Sequence, residues 1–249
     1  MKRVLKIKEM GHRNKYEASR EILQAIQRYR RIRPMFYRSN VYLHEQRVLA
    51  LVNMALPFIQ EREPGIDVPM LRAFAMTHDD LEMYYGEERA PHEAPDDREI
   101  RRGRALRSLN GRYEFEVNGM PAKIVQLRYG LQGDLESQVV KYADHFDNMG
   151  EAMHEVHAGN DLFREPLLFN VSALRVERTR LPQLTRLLDQ GHLLFDVPEL
   201  SEDILAQRKP YSPYDFWRSA LSKNEDPYVR NSLVERKEYA GEREIRGAI

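Results

Sequence analysis

The chain contains no cysteine. Disulfides and thiolate metal sites are excluded, so any bound metal must be held by His, Asp or Glu. It carries no net charge, with 39 Lys and Arg against 39 Asp and Glu. The broad basic field that nucleic-acid binders rely on is missing, which disfavours a nucleic-acid partner. No run of about 18 apolar residues occurs, so no membrane-spanning helix is predicted. The basic start, MKRVLKIKEMGHRNK, lacks an apolar h-region and does not read as a secretory signal. That leaves the cytoplasm as the default compartment. No internal repeat or low-complexity tract is visible.

What is present is helical periodicity. The 249 residues suit one domain with extensions, or two small ones, and can bury a full core. Over residues 16 to 32, Ile22, Leu23, Ile26 and Tyr29 share one helical face. Residues 41 to 60 repeat the pattern with Val48, Leu51, Val52, Ala55 and Ile59. REPGID, residues 62 to 67, is a break, and Pro69 suits the first turn of a third helix, roughly 69 to 85. Its inward stripe is Leu71, Phe74, Ala75 and His78. Residues 86 to 111 read as a long loop with at most one short helix. The sequence YEFEVNGMPAKIVQL predicts a β-hairpin insertion at about 112–128, turning at Asn118-Gly119. Residues 133 to 156 are again helical, with Leu135, Val139, Ala143, Phe146 and Met153 facing in.

Beyond residue 160 the pattern weakens. PQLTRLLDQ and SEDILAQ suggest short helices, and Ser212-Pro213 opens another that carries Trp217. A charged tail follows. The expected organisation is a mostly α-helical core over 1–160 and a C-terminal helical extension over 161–249.

Several polar residues fall on the apolar faces. His44 lies four residues before Val48. His78 lies four after Phe74, with Glu82 one turn later and Asp79 alongside. Asp144 lies four after Val140, at the edge of its helix's inward face. Buried His and Asp are costly unless paired or bound to something. A single such His is more often a satisfied core residue, and Asp80 is expected to be solvated. Two imidazoles and two carboxylates from three helices, however, suit one divalent ion: Mn, Co, Fe, Ni, Zn or Mg. Such an ion can acidify water for attack on phosphorus.

Three segments carry a resemblance. NVYLHEQRVLAL (40–51), THDDLEMYYGE (77–87) and LESQVVKYAD (135–144) are similar to the metal-binding segments of the HD-domain phosphohydrolases, closest to their 5′-deoxynucleotidase branch. The likeness covers roughly residues 16 to 155. It implies an HD-domain helical bundle with metal ligands His44, His78, Asp79 and Asp144, and Glu82 as acid/base group. It implies that an Arg before the first metal helix reads the substrate phosphate, with Arg33 and Arg38 as candidates among Arg30, Arg31, Arg33 and Arg38. It also implies a homodimer. The implied activity is removal of phosphate from a small nucleotide, a (deoxy)nucleoside 5′-monophosphate, by metal-bound water. A dNTP triphosphohydrolase or other nucleotide hydrolase, and a non-catalytic HD regulatory module, stand as alternatives.

The pattern departs from the family at three points. Leu43 stands where the family has Glu before the first His, so a hydrogen bond to His44 is either absent or supplied by another group. Glu87 replaces an Asp. The spacer before the last ligand is longer and contains the hairpin. Lys141 could add a charge near Asp144 or sit on the surface. Tyr84, Tyr85 and Tyr142 could stack on a base or belong to the core.

Overall fold

The computed structural model describes residues 20–29, 39–85, 95–109, 116–181, 183–185 and 197. Helix α1 (Val41–Arg62) starts where the Asn40 side chain accepts the Leu43 N–H at 2.9 Å. Its stripe of Val48, Leu51, Val52, Ala55 and Ile59 is buried, as is His44. Helix α2 (Val68–Thr77) is capped by Asp67, with Pro69 in its first turn.

The third predicted helix, 69 to 85, is not continuous. It stops at Thr77, and α3 (Glu82–Tyr85) begins after a turn. Side chains take the carbonyls that would continue the helix. Thr77 Oγ1 donates to Ala73 O at 2.7 Å, His78 Nδ1 lies 3.1 Å from Ala75 O, and Arg20 donates to Met76 O at 3.0 Å. Gln126 donates to Thr77 O. The backbone then tightens to i→i−3 bonds, from Asp80 to Thr77 and from Glu82 to Asp79.

The expected loop over 86–111 contains the 15-residue helix α4 (Pro95–Leu109). Its late Arg107 suits the helix dipole. Ala105, Leu106 and Leu109 supply a short buried stripe.

Of the expected hairpin, β1 (Glu116–Val117) pairs with β2 (Met120–Pro121), and residues 110–115 lie outside the described residues. Asn118 and Gly119 both have positive φ, 50° and 80°, as a tight two-residue turn needs. The rest of the expected second strand is helix α5 (Ala122–Leu131). Its inward residues Ala122, Val125, Gln126 and Tyr129 are spaced i, i+3, i+4, i+7, a helical period rather than alternation.

Helix α6 (Leu135–His157) is capped by Asp134, whose side chain accepts from Ser137 N at 2.8 Å. It is the central element, packed on α1, α2 and α5. Along its other side runs α7 (Arg164–Arg180), which follows a short 3-10 turn, Asp161–Phe163. The sequence reading missed α7. Leu167, Val171 and Leu174 form its buried stripe, but exposed Leu168, Phe169 and Val176 blur the period. Of PQLTRLLDQ, residues 183–185 are helical. SEDILAQ, the Ser212-Pro213 segment with Trp217, and the charged tail lie outside the described residues. Among the described residues, no helix is long and apolar enough to cross a membrane.

Candidate metal centre

Three elements deliver four polar side chains to one point. His44 comes from the first turn of α1, His78 from the end of α2, Asp79 from the turn after it, and Asp144 from the middle of α6. His44, His78 and Asp79 each offer one ligand atom within 4.8 Å of the others. Asp144 joins through His44, with Oδ1 3.1 Å from His44 Nε2.

The proton positions give this cluster its chemistry. His44 Nδ1 lies 2.7 Å from Asp147 Oδ2, and His78 Nδ1 lies 3.1 Å from the Ala75 carbonyl. Carboxylates and carbonyls only accept, so neutral His78 carries its proton on Nδ1. His44 faces a carboxylate at each nitrogen, and the shorter contact, to Asp147 rather than to Asp144 at 3.1 Å, favours Nδ1 for the proton of its neutral ring. Both Nε2 atoms then present lone pairs, and they face each other at 3.1 Å. Asp79 Oδ2 stands 3.6 Å from His44 Nε2 and 3.7 Å from His78 Nε2. Two nitrogens and two carboxylate oxygens, all acceptors, point at a shared centre. That arrangement is repulsive on its own and favourable around a divalent cation. The donor set therefore fits a hard-to-borderline metal. Both imidazoles are buried, whereas the Asp79 side chain is 32% exposed, so the cluster opens to solvent at Asp79.

Neighbouring charges tune these groups. Burial pulls the His78 pKa down. Burial and Arg28 also pull His44 down, but its bonds to Asp144 and Asp147 outweigh them and leave it raised. Burial works against the Asp144 carboxylate, yet Lys141 and His44 hold it well below the usual range. Lys141 Nζ sits 2.8 Å from Asp144 Oδ2, and Asn148 Nδ2 donates to Oδ1 at 2.9 Å. The Lys141 side chain is 23% exposed, so it is neither a free surface lysine nor a sealed one.

Asp147 is the acceptor that Leu43 does not provide for His44. It is held in turn by Arg47, whose Nε and Nη2 each donate at 2.7 Å. Asp147 and Arg47 were not singled out from the sequence. The available signal was spacing: each lies three residues after a ligand, on the same helical face.

Asp80 was expected to be solvated, but it is fully buried. Arg20 pairs with it and, through Nη1, with Glu45 Oε2 at 3.0 Å. Glu45 follows His44 and Asp80 follows Asp79, so one guanidinium ties together both ligand-bearing turns. Burial, only partly offset by Arg20, pushes Asp80 up to about 7. Burial and the Asp80 charge push Glu45 well above its usual range.

Glu82 is buried at the start of α3, four residues after His78. Tyr142 is fully buried in the core and cannot stack on a ligand, whereas Tyr84 is 40% exposed. Arg30, Arg31, Arg33, Arg38 and Glu87 lie outside the described residues.

No family profile and no curated protein matches the sequence. Solved structures do. The PH0347 protein of Pyrococcus horikoshii superposes with a TM-score of 0.58 at 17% identity, over 71% of this chain and 94% of its own. An HD-domain phosphohydrolase from Listeria innocua superposes with a TM-score of 0.54 at 16% identity, over 90% of this chain and 98% of its own. At such identities the likeness is one of architecture. The chain has a mostly α-helical HD-type fold, with a His/Asp cluster gathered at the meeting of α1, α2 and α6.

Proposed function

We propose that this chain is a metal-dependent phosphohydrolase acting on a small nucleotide, a (deoxy)nucleoside 5′-monophosphate. The observation that carries the metal reading is the pair of imidazole Nε2 atoms facing each other at 3.1 Å beside two carboxylates. His44, His78, Asp79 and Asp144 would hold the ion. When bound, a divalent cation supplies Lewis acidity, which acidifies water and offsets negative charge on a phosphoryl group.

The protein's own groups do the rest. Hydrolysis of a phosphate ester breaks the P–O bond, takes a proton from the attacking water and returns one to the leaving oxygen. We assign that proton to Glu82, one turn beyond His78 and shielded from bulk water. Lys141 keeps Asp144 ionised and carries positive charge at the partly open edge of the cluster. Arg33 and Arg38 are the proposed phosphate-reading cations. The nucleotide substrate, the two arginines and a homodimer rest on the sequence resemblance, and a cytoplasmic location is proposed as the default compartment.

The test is phosphate release from nucleoside mono-, di- and triphosphates. The metal-stripped protein is resupplied in turn with Mn, Co, Mg, Zn and Ni. Orthophosphate from deoxynucleoside monophosphates alone supports the proposal. Release of inorganic triphosphate from dNTPs replaces it with a triphosphohydrolase. No turnover with any metal, in a protein that binds one, replaces it with a regulatory module.

A further inference from the structure

We infer that Asp147 is the positioning residue that fixes His44 as a metal ligand, and that Arg47 holds Asp147 to this task. The inference rests on the metal reading of the His44, His78, Asp79 and Asp144 cluster. His44 can ligate through Nε2 only if its proton stays on Nδ1. The group facing Nδ1 is a buried carboxylate oxygen at 2.7 Å, which can only accept, and it lies closer than the Asp144 oxygen that faces Nε2 at 3.1 Å. Arg47 reaches both Asp147 oxygens, with Nε 2.7 Å from Oδ1 and Nη2 2.7 Å from Oδ2. Arg47 is anchored in turn by Ser39 Oγ at 3.0 Å and by Glu151. The residue before His44 is Leu43, which has no polar side chain to do the same work.

Asp147 is thus fixed in a donor-rich setting in which only an acceptor fits. An amide there cannot satisfy all its neighbours. If its oxygen keeps the Arg47 Nε, its NH2 group faces His44 Nδ1. The His44 proton then moves to Nε2, into the centre of the cluster, where it blocks ligation. Loss of such an outer carboxylate typically lowers metal affinity 10- to 100-fold.

The test uses the full-length chain. Long-range 1H–15N spectra of the metal-free protein, at a pH where the ring is neutral, identify the tautomer of His44. Zn affinity is read by competition against a chromophoric chelator for wild type, Asp147→Asn and Arg47→Met. The expected results are Nδ1–H on wild-type His44, Nε2–H in Asp147→Asn with His78 unchanged, and a 10- to 100-fold weaker Zn affinity in that variant. Arg47→Met is expected to fall between the two. Nε2–H on wild-type His44 overturns the inference without need of any variant. So does an Asp147→Asn chain that binds Zn as tightly as wild type. A wild-type chain that binds no Zn, Mn or Co overturns the metal reading itself, and the tautomer spectrum separates that failure from a failure of Asp147.

Discussion

Replacing Arg20 with methionine keeps most of the side-chain bulk but removes the only cation that pairs with Glu45 and Asp80 among the ion pairs of the described residues. Both carboxyls are fully buried. In the wild type burial pushes Glu45 well above its range and Asp80 up to about 7, because one guanidinium serving two acids offsets it only in part. A carboxyl whose folded pKa exceeds its unfolded value binds more protons when folded, so stability falls as pH rises between the two. For wild-type Asp80 that window runs from ~3.9 to about 7, and its contribution is flat above it. Without Arg20 the folded pKa climbs further, and the variant keeps losing about 1.4 kcal/mol per pH unit beyond 7. The lost charge-assisted bonds to Glu45 and the Met76 carbonyl add about 2 kcal/mol at any pH. The expected deficit is therefore about 2 kcal/mol at pH 6, about 3 at pH 8 and about 5 at pH 9, within the usual range for a broken buried ion pair. Urea unfolding followed by circular dichroism, in chelator at these three pH values, reads it. A deficit that is the same at pH 6 and pH 9 refutes the shared-cation argument.

Other expectations are simpler. Asp79→Ala should lose stoichiometric metal while keeping its helical circular dichroism, because Asp79 is the most exposed of the four candidate ligands; retained metal stoichiometry would refute its assignment. Glu82→Gln should keep the metal and lower kcat by about 10²–10⁴-fold, and full activity would remove Glu82 from the chemistry. Leu167→Ala, in the buried stripe of α7, should cost about 2–5 kcal/mol in urea unfolding. A cost under about 0.5 kcal/mol, typical of a surface site, would mean that α7 is not part of the core.

The sequence alone determined the helices with a clean period and strong caps. Asn40 and Asp134 start α1 and α6, and the apolar stripes of both run as the residue spacing demands. It also placed His44, His78 and Asp144 on inward faces, since facing is a local property of a helix with a 3.6-residue repeat. Tertiary structure decided what local pattern cannot encode. Helix α2 ends at Thr77 because Gln126 and Arg20, distant in sequence, take its last carbonyls. The strand expected over 122–127 became α5, which buries Val125 and Gln126 and packs against α2 and α6. Asp80 looked like one more surface charge until residue 20 was brought across to it, 60 positions away in sequence. Likewise, the proton of His44 is placed by Asp147, 103 residues further on, and that separation is closed only when α1 docks on α6.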